Sequence, residues 1–447
     1  MPPRRIWVKP SGAVIAPALP PKLSQRTPTL LDLWLKLEPH LLARLAGGLY
    51  LCLLFPLVVA YWLVPGRRAK EWLLLLGSLA FIYRFVEPVA AIMLPLVGLL
   101  LYALAGTRPG RLRAGVLTAC LAAFYLWTMS GGLLAFLGSL PDTWIPILRR
   151  FFLPTGLLVQ GGERTFFMVF IPLRCISYLW DLHWGKTTRR GLRPFLSWVL
   201  FFPMVPGAPF LWHEAFMQQA DKPTLPRLDQ VLVGLRRVLT GFALITVSYV
   251  LPLFHPMGRL LTPLAYSPGE MWASAYWWLG RFFLTVCGQA DFNIGWAALF
   301  GYQLPENMDR PLRQSNMLEF WRRWNVMVGQ FLKTYVYIPL GGNRKGETRT
   351  TLNYLAAMLV CGFWHGVHPA FALWGVLHGG SLAVSRWWHR RLGDQVVARV
   401  GVLPAKLAGW ALTVSFVALT FTLLYAGSAG RSFSVCLQIL LRMLALS

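Results

Sequence analysis

Apolar tracts close to 20 residues long recur along most of the chain, each ended by a short basic or Gly/Pro-containing turn. That is the length a helix needs to cross a hydrocarbon layer about 30 Å thick. The pattern predicts spans over 47–64, 71–86, 88–105, 114–137, 165–182, 194–212, 238–254, 272–300, 351–388 and 405–427, with a terminal one over 432–446. Before them, residues 29–46 mix Leu and Trp with Lys, Glu and Arg at helical spacing, which predicts an amphipathic helix in the membrane interface, interrupted near Pro39. Some tracts do not read as simple spans. The 272–300 tract holds Arg281 and Asp291, and the 351–388 tract is too long for one crossing and carries Pro369 midway. Residues 301–350 are too polar to cross as one helix and too aromatic for a solvent loop. Polar or irregular chain at membrane depth must be buried in protein or line a cavity. The expected architecture is an all-α polytopic membrane protein of about 10–12 transmembrane helices, with re-entrant or tilted helices around a central cavity. Its segments are a basic, Pro-rich 1–46, helices over 47–150, a core over 151–390 and C-terminal helices over 391–447.

Composition sharpens this. Of 447 residues 56% are hydrophobic and only 13% charged, half the charged share of a soluble domain, which excludes an ordinary soluble globule, a disordered tail and a collagen-like fibre. The net charge is +26. Because the basic residues sit in short loops between apolar tracts, as at Arg67, Arg68 and Lys70 or at Arg189, Arg190 and Arg193, they read as contacts to membrane lipids and topology signals, with no nucleic acid implied. Attraction of a phosphate-bearing substrate is the alternative. The basic loops at 66–70 and 106–113 share a membrane face only if an even number of spans separates them, and the seven Lys/Arg within residues 1–46 favour a cytoplasmic start. The six cysteines, Cys52, Cys120, Cys175, Cys287, Cys361 and Cys436, are scattered through apolar runs without CxxC spacing, so neither a disulfide framework nor a zinc site is indicated.

Ionisable residues inside apolar tracts are costly and point to function. His365 in CGFWHGVHPAF and His378 in WGVLHGG are of this kind. For His365 the alternative is a core histidine satisfied by a backbone carbonyl, and its neighbours favour function; for His378 the two readings balance. Trp364 and Gly366 flank His365, and glycine allows close approach of a ligand or a helix. A metal site from His365 and His368 lacks a completing ligand, so no metal is expected. A second constellation lies at 316–346, where helical spacing places Trp321, Trp324, Asn325 and Val328 on one side and Arg322 and Arg323 elsewhere. An Asn on a Trp-rich face is either a helix–helix hydrogen bond or a donor aimed into a cavity.

The stretch LPENMDRPLRQSNMLEFWRRWN, then YVYIPLGGNRKG, GFWHG and WGVLHGG, resembles the membrane-bound O-acyltransferase family, in its bacterial branch that acetylates exported polysaccharides; the protein that transfers D-alanyl groups to teichoic acid is a more distant relative. IPLRCISYLWDLHWGK (171–186), FFPMVPGAPF (201–210) and CGQADFNIGWAALFGY (287–302) match as well. The resemblance covers about residues 165–390 and makes 151–390 the catalytic core. It implies a ring of helices around a thinned centre, with His365 as the essential residue in a tunnel joining the two sides. It implies acyl thioester donors, commonly acyl-CoA, and no bound cofactor. The bacterial branch usually has His after WRRW, whereas this chain has Asn325, as eukaryotic members often do, 40 residues before His365. An upstream motif is reduced to CGQAD, keeping Gly288 and Asp291.

The residues suit acyl transfer. Neutral imidazole, with an ordinary pKa near ~6.5, can take a hydroxyl proton, and an Asn amide can hold the oxyanion. His378, Trp324, Trp364 and Asp291 are candidate supporting residues. Arg344, Lys345 and Arg349 in GGNRKGETR, with Arg322 and Arg323, are candidates for holding donor phosphates; no P-loop motif is present. The expected activity is an O-acyltransferase of the bacterial cytoplasmic (inner) membrane. It would move acetyl from acetyl-CoA toward a cell-surface polysaccharide, directly or through an extracytoplasmic acyltransferase partner. The rivals are D-alanyl-like transfer from an acidic acyl carrier protein, and a transporter or channel using His365 and Asp291 as an ion path.

Overall fold

The computed structural model describes residues 54–86, 88–106, 110, 114–119, 170–205, 207–221, 225–251 and 260–446. The amphipathic helix expected over 29–46 and most of the 114–137 span lie outside the described residues. Those described form an all-α membrane protein, with no strand among them. In chain order the helices are α1 (Leu54–Leu63), α2 (Arg67–Phe81, continued by a π-turn over Ile82–Val86), α3 (Pro88–Leu104), α4 (Phe170–His183), α5 (Leu192–Leu200), α6 (His213–Asp221), α7 (Leu228–Val250) and α8 (Pro268–Leu299). There follow α9 (Met317–Arg323), α10 (Val326–Leu332, continued by a π-turn over Lys333–Tyr337), α11 (Gly346–Trp364), α12 (Pro369–Arg391), α13 (Gly393–Val400), α14 (Val402–Ser428) and α15 (Phe433–Met443).

Two described helices, α7 and α14, are long and apolar enough to cross a membrane by themselves. Three of the other described tracts are more broken than their hydropathy suggests. The terminal tract over 432–446 forms the 11-residue α15, about half the length of a crossing at 1.5 Å per residue. The 194–212 tract forms the nine-residue α5 and a buried 3₁₀ turn at Phe202–Met204. Buried Arg174 of α4 makes that irregular stretch tolerable: it donates to the carbonyls of Met204 (3.3 Å) and Trp198, which would otherwise be stranded among apolar side chains. The long 351–388 tract divides at Pro369. That proline takes the first position of α12, where its missing N–H costs nothing, and His368 caps the helix by accepting from the Ala370 N–H at 3.1 Å.

Between helices in a bilayer, burial of apolar surface from water supplies little drive, so backbones must come close enough for van der Waals contact to do it. The α7–α8 pair does this with two glycines on each side, seven residues apart. A Cβ on Gly241 would stand 2.5 Å from the Phe292 nitrogen, one on Gly288 2.8 Å from the Gly241 carbonyl oxygen, and one on Gly295 2.7 Å from that of Gly234. The α11–α12 hairpin repeats the device: Gly362 lies against the Phe371 carbonyl, and a Cβ on Gly375 would be 2.5 Å from that of Met358.

The basic loops meet at one edge. Arg193 at the start of α5 bonds Glu71 at the start of α2, and Arg189 lies over the Tyr102 ring and donates to the Tyr102 carbonyl at the end of α3. The start of α2 and the end of α3 thus meet the same segment, residues 189–193.

The glycine seams generate the first prediction. Gly241→Ala should cost about 1–3 kcal/mol through forced separation of two backbones. Gly280→Ala, at a point of α8 where nothing lies within 4 Å of the new Cβ, should be neutral or slightly stabilising. Thermal unfolding of both variants in detergent checks this; equal melting temperatures would refute the seam.

Candidate active site

The chain between α9 and α10 departs from a continuous helix. Trp324 is extended (φ −93°, ψ 122°) and Asn325 is left-handed (φ 45°, ψ 58°), so the helix stops at Arg323 and restarts at Val326. Asn tolerates this conformation better than most residues. Asn307 pins the break: its carbonyl accepts from the Val326 N–H at 2.9 Å and its Oδ1 from the Met327 N–H at 3.3 Å. Fully buried Asn307 is a residue that sequence reading passed over. Nothing marks it in LPENMDRP, because its partners lie 19 and 20 positions on.

The kink turns the segment into a partition. Trp321, Trp324, Asn325 and Val328 reach one small cavity by way of the break, not along one helical face as the spacing suggested, while Arg322 and Val326 line a large cavity on the other side. The small cavity has room for about 20 Å³, the space of one water molecule. His365 and Trp364 enter it from the end of α11, together with Phe282 of α8, Trp374 of α12 and Phe421 of α14. Asn325 is 9% exposed and its Oδ1 is buried without a protein partner, so one end of the amide is free for a ligand. The His365 ring packs against Trp364 and Trp374 at centroid distances of 4.8 and 5.2 Å and has no hydrogen-bond partner among the described residues. It sits just past the helix end, where Gly366 at φ 141° turns the chain toward His368. An imidazole and an amide, neither consumed by the protein, thus face one aromatic-walled space.

His378 stands behind this space with both nitrogens engaged. Trp321 Nε1, which can only donate, gives its proton to His378 Nδ1 at 3.2 Å. Nε2 must therefore carry the hydrogen and donate to Thr420 Oγ1 at 2.9 Å, and Thr420 passes its own to the Phe416 carbonyl at 2.7 Å. The ring packs 4.3 Å from that of Trp374. Of its two readings, the geometry gives His378 that of a core histidine fixing the indoles around His365.

The charged candidates fall elsewhere. Asp291 pairs with Arg237 at 2.7 Å in the large cavity, of about 750 Å³, which Arg236, Arg310, Arg322 and the carboxylates Glu306 and Asp309 also line. Arg322 is bound to Glu319 at 2.5 Å and Arg323 to Asp309. Arg344, Lys345 and Arg349 are exposed and line neither cavity. Glu347 between them ties this region to Arg386 (3.1 Å) and Arg390 of α12.

Fold and cavity together define an all-helical membrane protein that buries an unengaged histidine–asparagine pair beside an arginine-lined cavity. The model of the membrane-bound O-acyltransferase (MBOAT) family matches residues 191–428, more than half of the chain, and the chain belongs to that family. The chain is 30% identical over 238 residues to the probable alginate O-acetylase AlgI of Azotobacter vinelandii (53% of this chain, 46% of the relative). It is 26% identical over 396 residues to that of Pseudomonas aeruginosa (85% and 72%). It is 29% identical over 238 residues to the peptidoglycan O-acetyltransferase of Helicobacter pylori (52% and 44%). The chain spans about half to two thirds of the length of the first curated relatives it matches.

The relay behind the site generates the second prediction. His378→Ala removes a buried ring and strands the Trp321 N–H, and should destabilise the protein by about 3–5 kcal/mol. Thermal unfolding checks it; an unchanged midpoint would show that the ring supports nothing.

Proposed function

We propose that this protein is a multi-pass O-acyltransferase of the bacterial cytoplasmic membrane that moves an acyl group, acetyl in the simplest case, from a thioester such as acetyl-CoA to a hydroxyl of an exported or cell-surface polysaccharide. An extracytoplasmic acyltransferase partner can carry the group onward. The observation that carries this reading is the shared cavity of His365 and Asn325, in which neither side chain is used by the protein. Family membership and the polymer O-acetylation named for the relatives support it.

In this reading His365 takes the proton of the acceptor hydroxyl as its oxygen attacks the thioester carbonyl. The Asn325 amide, turned to present its N–H, holds the oxyanion. Collapse of the tetrahedral intermediate expels the thiolate, which takes the proton back from the imidazolium. Aromatic walls exclude water that would compete as acceptor. The donor's phosphates are assigned to the large cavity. Arg322 lines it, Arg236 beside it makes no hydrogen bond or close ion pair among the described residues, and the wall at Arg322–Val326 separates it from His365. With four arginines against three carboxylates in its lining, this cavity is assigned to the cytoplasmic face. Similarity to the teichoic acid D-alanyltransferase of Streptococcus thermophilus, 25% over 282 residues, favours one further reading, in which an acidic acyl carrier docks on the same arginines. Assays with acyl-CoA and with a charged carrier separate the two.

Two predictions test this function. His365→Ala should insert and melt as the parent does but lose acyl transfer, measured as thiol release dependent on acceptor. Asn325→Ala should lower kcat per folded molecule by ~10²–10³ with donor KM little changed. Asn325→His, an imidazole N–H in a conformation histidine tolerates, should retain measurable turnover. With an amide unable to act as base, the pH–rate profile should have one acid-side limb, from His365. Full turnover by folded His365→Ala would end the proposal. On the donor side, Arg236→Gln with Arg322→Gln should raise KM for acyl-CoA and reduce its salt dependence, since exposed charges are screened over ~8 Å at physiological salt. The triple change at Arg344, Lys345 and Arg349 should do less; the opposite order would move the donor to the exposed turn.

A further inference from the structure

Two basic loops more than 100 residues apart in sequence close around a third cavity, which the acyl-transfer reading leaves unused. Buried Glu71 accepts from Arg67 Nε at 2.8 Å and from Arg193 Nε at 2.5 Å, while Asp221 at the end of α6 takes Arg67 at 2.7 Å and Arg190 at 3.2 Å. Two carboxylates therefore hold three guanidiniums. Arg68 beside them has no partner among the described residues, and the Arg190 Nε is buried without one. Beside this cluster opens a cavity of about 540 Å³, lined by Arg67, Arg68, Arg193 and Glu71 with Pro65 and Pro194.

The four arginines exceed the two carboxylates in charge, and the ion pairs fix the guanidiniums while leaving part of their donor set unused. Arg193 spends only its Nε on Glu71, and no acceptor is shown for Arg67 Nη1. Forks held in place beforehand lose little freedom on binding a tetrahedral oxyanion. The surroundings narrow the source of that anion. Leu63 at the end of α1, Trp72 and Leu76 along α2, and Leu192 at the start of α5 are all exposed apolar side chains, and on α2 they follow directly on Arg67, Arg68 and Lys70. A charged cradle meeting an apolar surface within one helical turn suits a ligand with both parts.

We infer that this cavity binds the phosphodiester headgroup of an anionic glycerophospholipid, with the acyl chains lying along α2 beside Trp72 and Leu76. A lipid there would bridge α2 and α5 by charge. It would be a structural ligand at one defined place, apart from the diffuse attraction that a chain of net charge +26 has for any anionic surface. The inference stands apart from the acyl-transfer proposal, since neither His365 nor Asn325 takes part.

The experiment reconstitutes the full-length protein in phosphatidylcholine nanodiscs and titrates phosphatidylglycerol, reading the melting temperature and the lipid retained in native mass spectrometry. The melting temperature should rise and saturate. Arg68→Gln, which breaks no ion pair, should weaken the half-saturating fraction about tenfold, the loss of one charge-assisted contact, and Arg193→Gln should do so at least as strongly. Arg399→Gln with Lys406→Gln, removing two exposed charges elsewhere, should leave it unchanged. If the control pair weakens binding as much as Arg68→Gln, or phosphatidylcholine alone stabilises equally, the defined site is refuted. If inorganic phosphate gives the full stabilisation and phosphatidylglycerol adds nothing, the cavity serves a soluble phosphate and the lipid assignment is overturned.

Discussion

Backbone contact at glycine is the constraint on which the rest of the structure depends. In the α11–α12 hairpin, Gly362 meets the Phe371 carbonyl and Gly375 that of Met358, with no side chain in between. That approach sets the depth at which α11 ends, and His365 is the residue at that end. The α7–α8 seam does the same for α8, which carries Phe282 in the wall of the small cavity and Asp291 in the large one. In a solvent as apolar as the side chains themselves, shape is the strongest remaining source of helix pairing. Added methyl groups here would move catalytic candidates, because both hairpins carry them.

The partition at Arg322–Val326 is the second consequence. The segment sets Arg322 and Val326 toward one cavity and Trp324 and Asn325 toward the other, and the extended Trp324 and left-handed Asn325 interrupt the helix between them. A residue in the left-handed region costs on the order of 1–3 kcal/mol and persists only when its neighbours over-determine it; Asn307 supplies that hold through two hydrogen bonds to the next helix. The result places a polar, arginine-rich compartment one chain-thickness from a small aromatic one. Charged and neutral parts of a single substrate can then be bound in the environments each requires.

Charge follows a similar economy. Most arginines with a fixed position are held by a carboxylate: Glu71 and Asp221 at one edge, Asp291 and Glu306 around Arg237, Glu347 under Arg386 and Arg390. With 17 acidic residues against 43 basic ones, carboxylates cannot pair every cation. Long-range attraction of anions therefore coexists with a few rigid arginine forks.

The all-helical membrane class was determined by the sequence alone, since the length and spacing of apolar tracts answer to the thickness of the bilayer and to little else. The division of the 351–388 tract at Pro369 was legible for the same local reason, a missing N–H that permits a helix start. His365 stood out as an ionisable side chain in an apolar run. Asn325 was found by residue type and spacing, but its reason was not. The periodicity argument assumed one helix, whereas the cavity residues converge through a break held by Asn307, a distant partner that no local pattern announces. Hydropathy also overstated the tracts at 194–212 and 432–446, because a segment buried in protein is as apolar as one facing lipid. The tertiary structure alone decided that His378 is engaged on both nitrogens, that Asp291 and Arg322 share a cavity while Arg344, Lys345 and Arg349 do not, and that Arg68 and Arg193 face one space. Each is a pairing across tens to hundreds of residues, set by which helices pack, and a one-dimensional pattern carries no record of that choice.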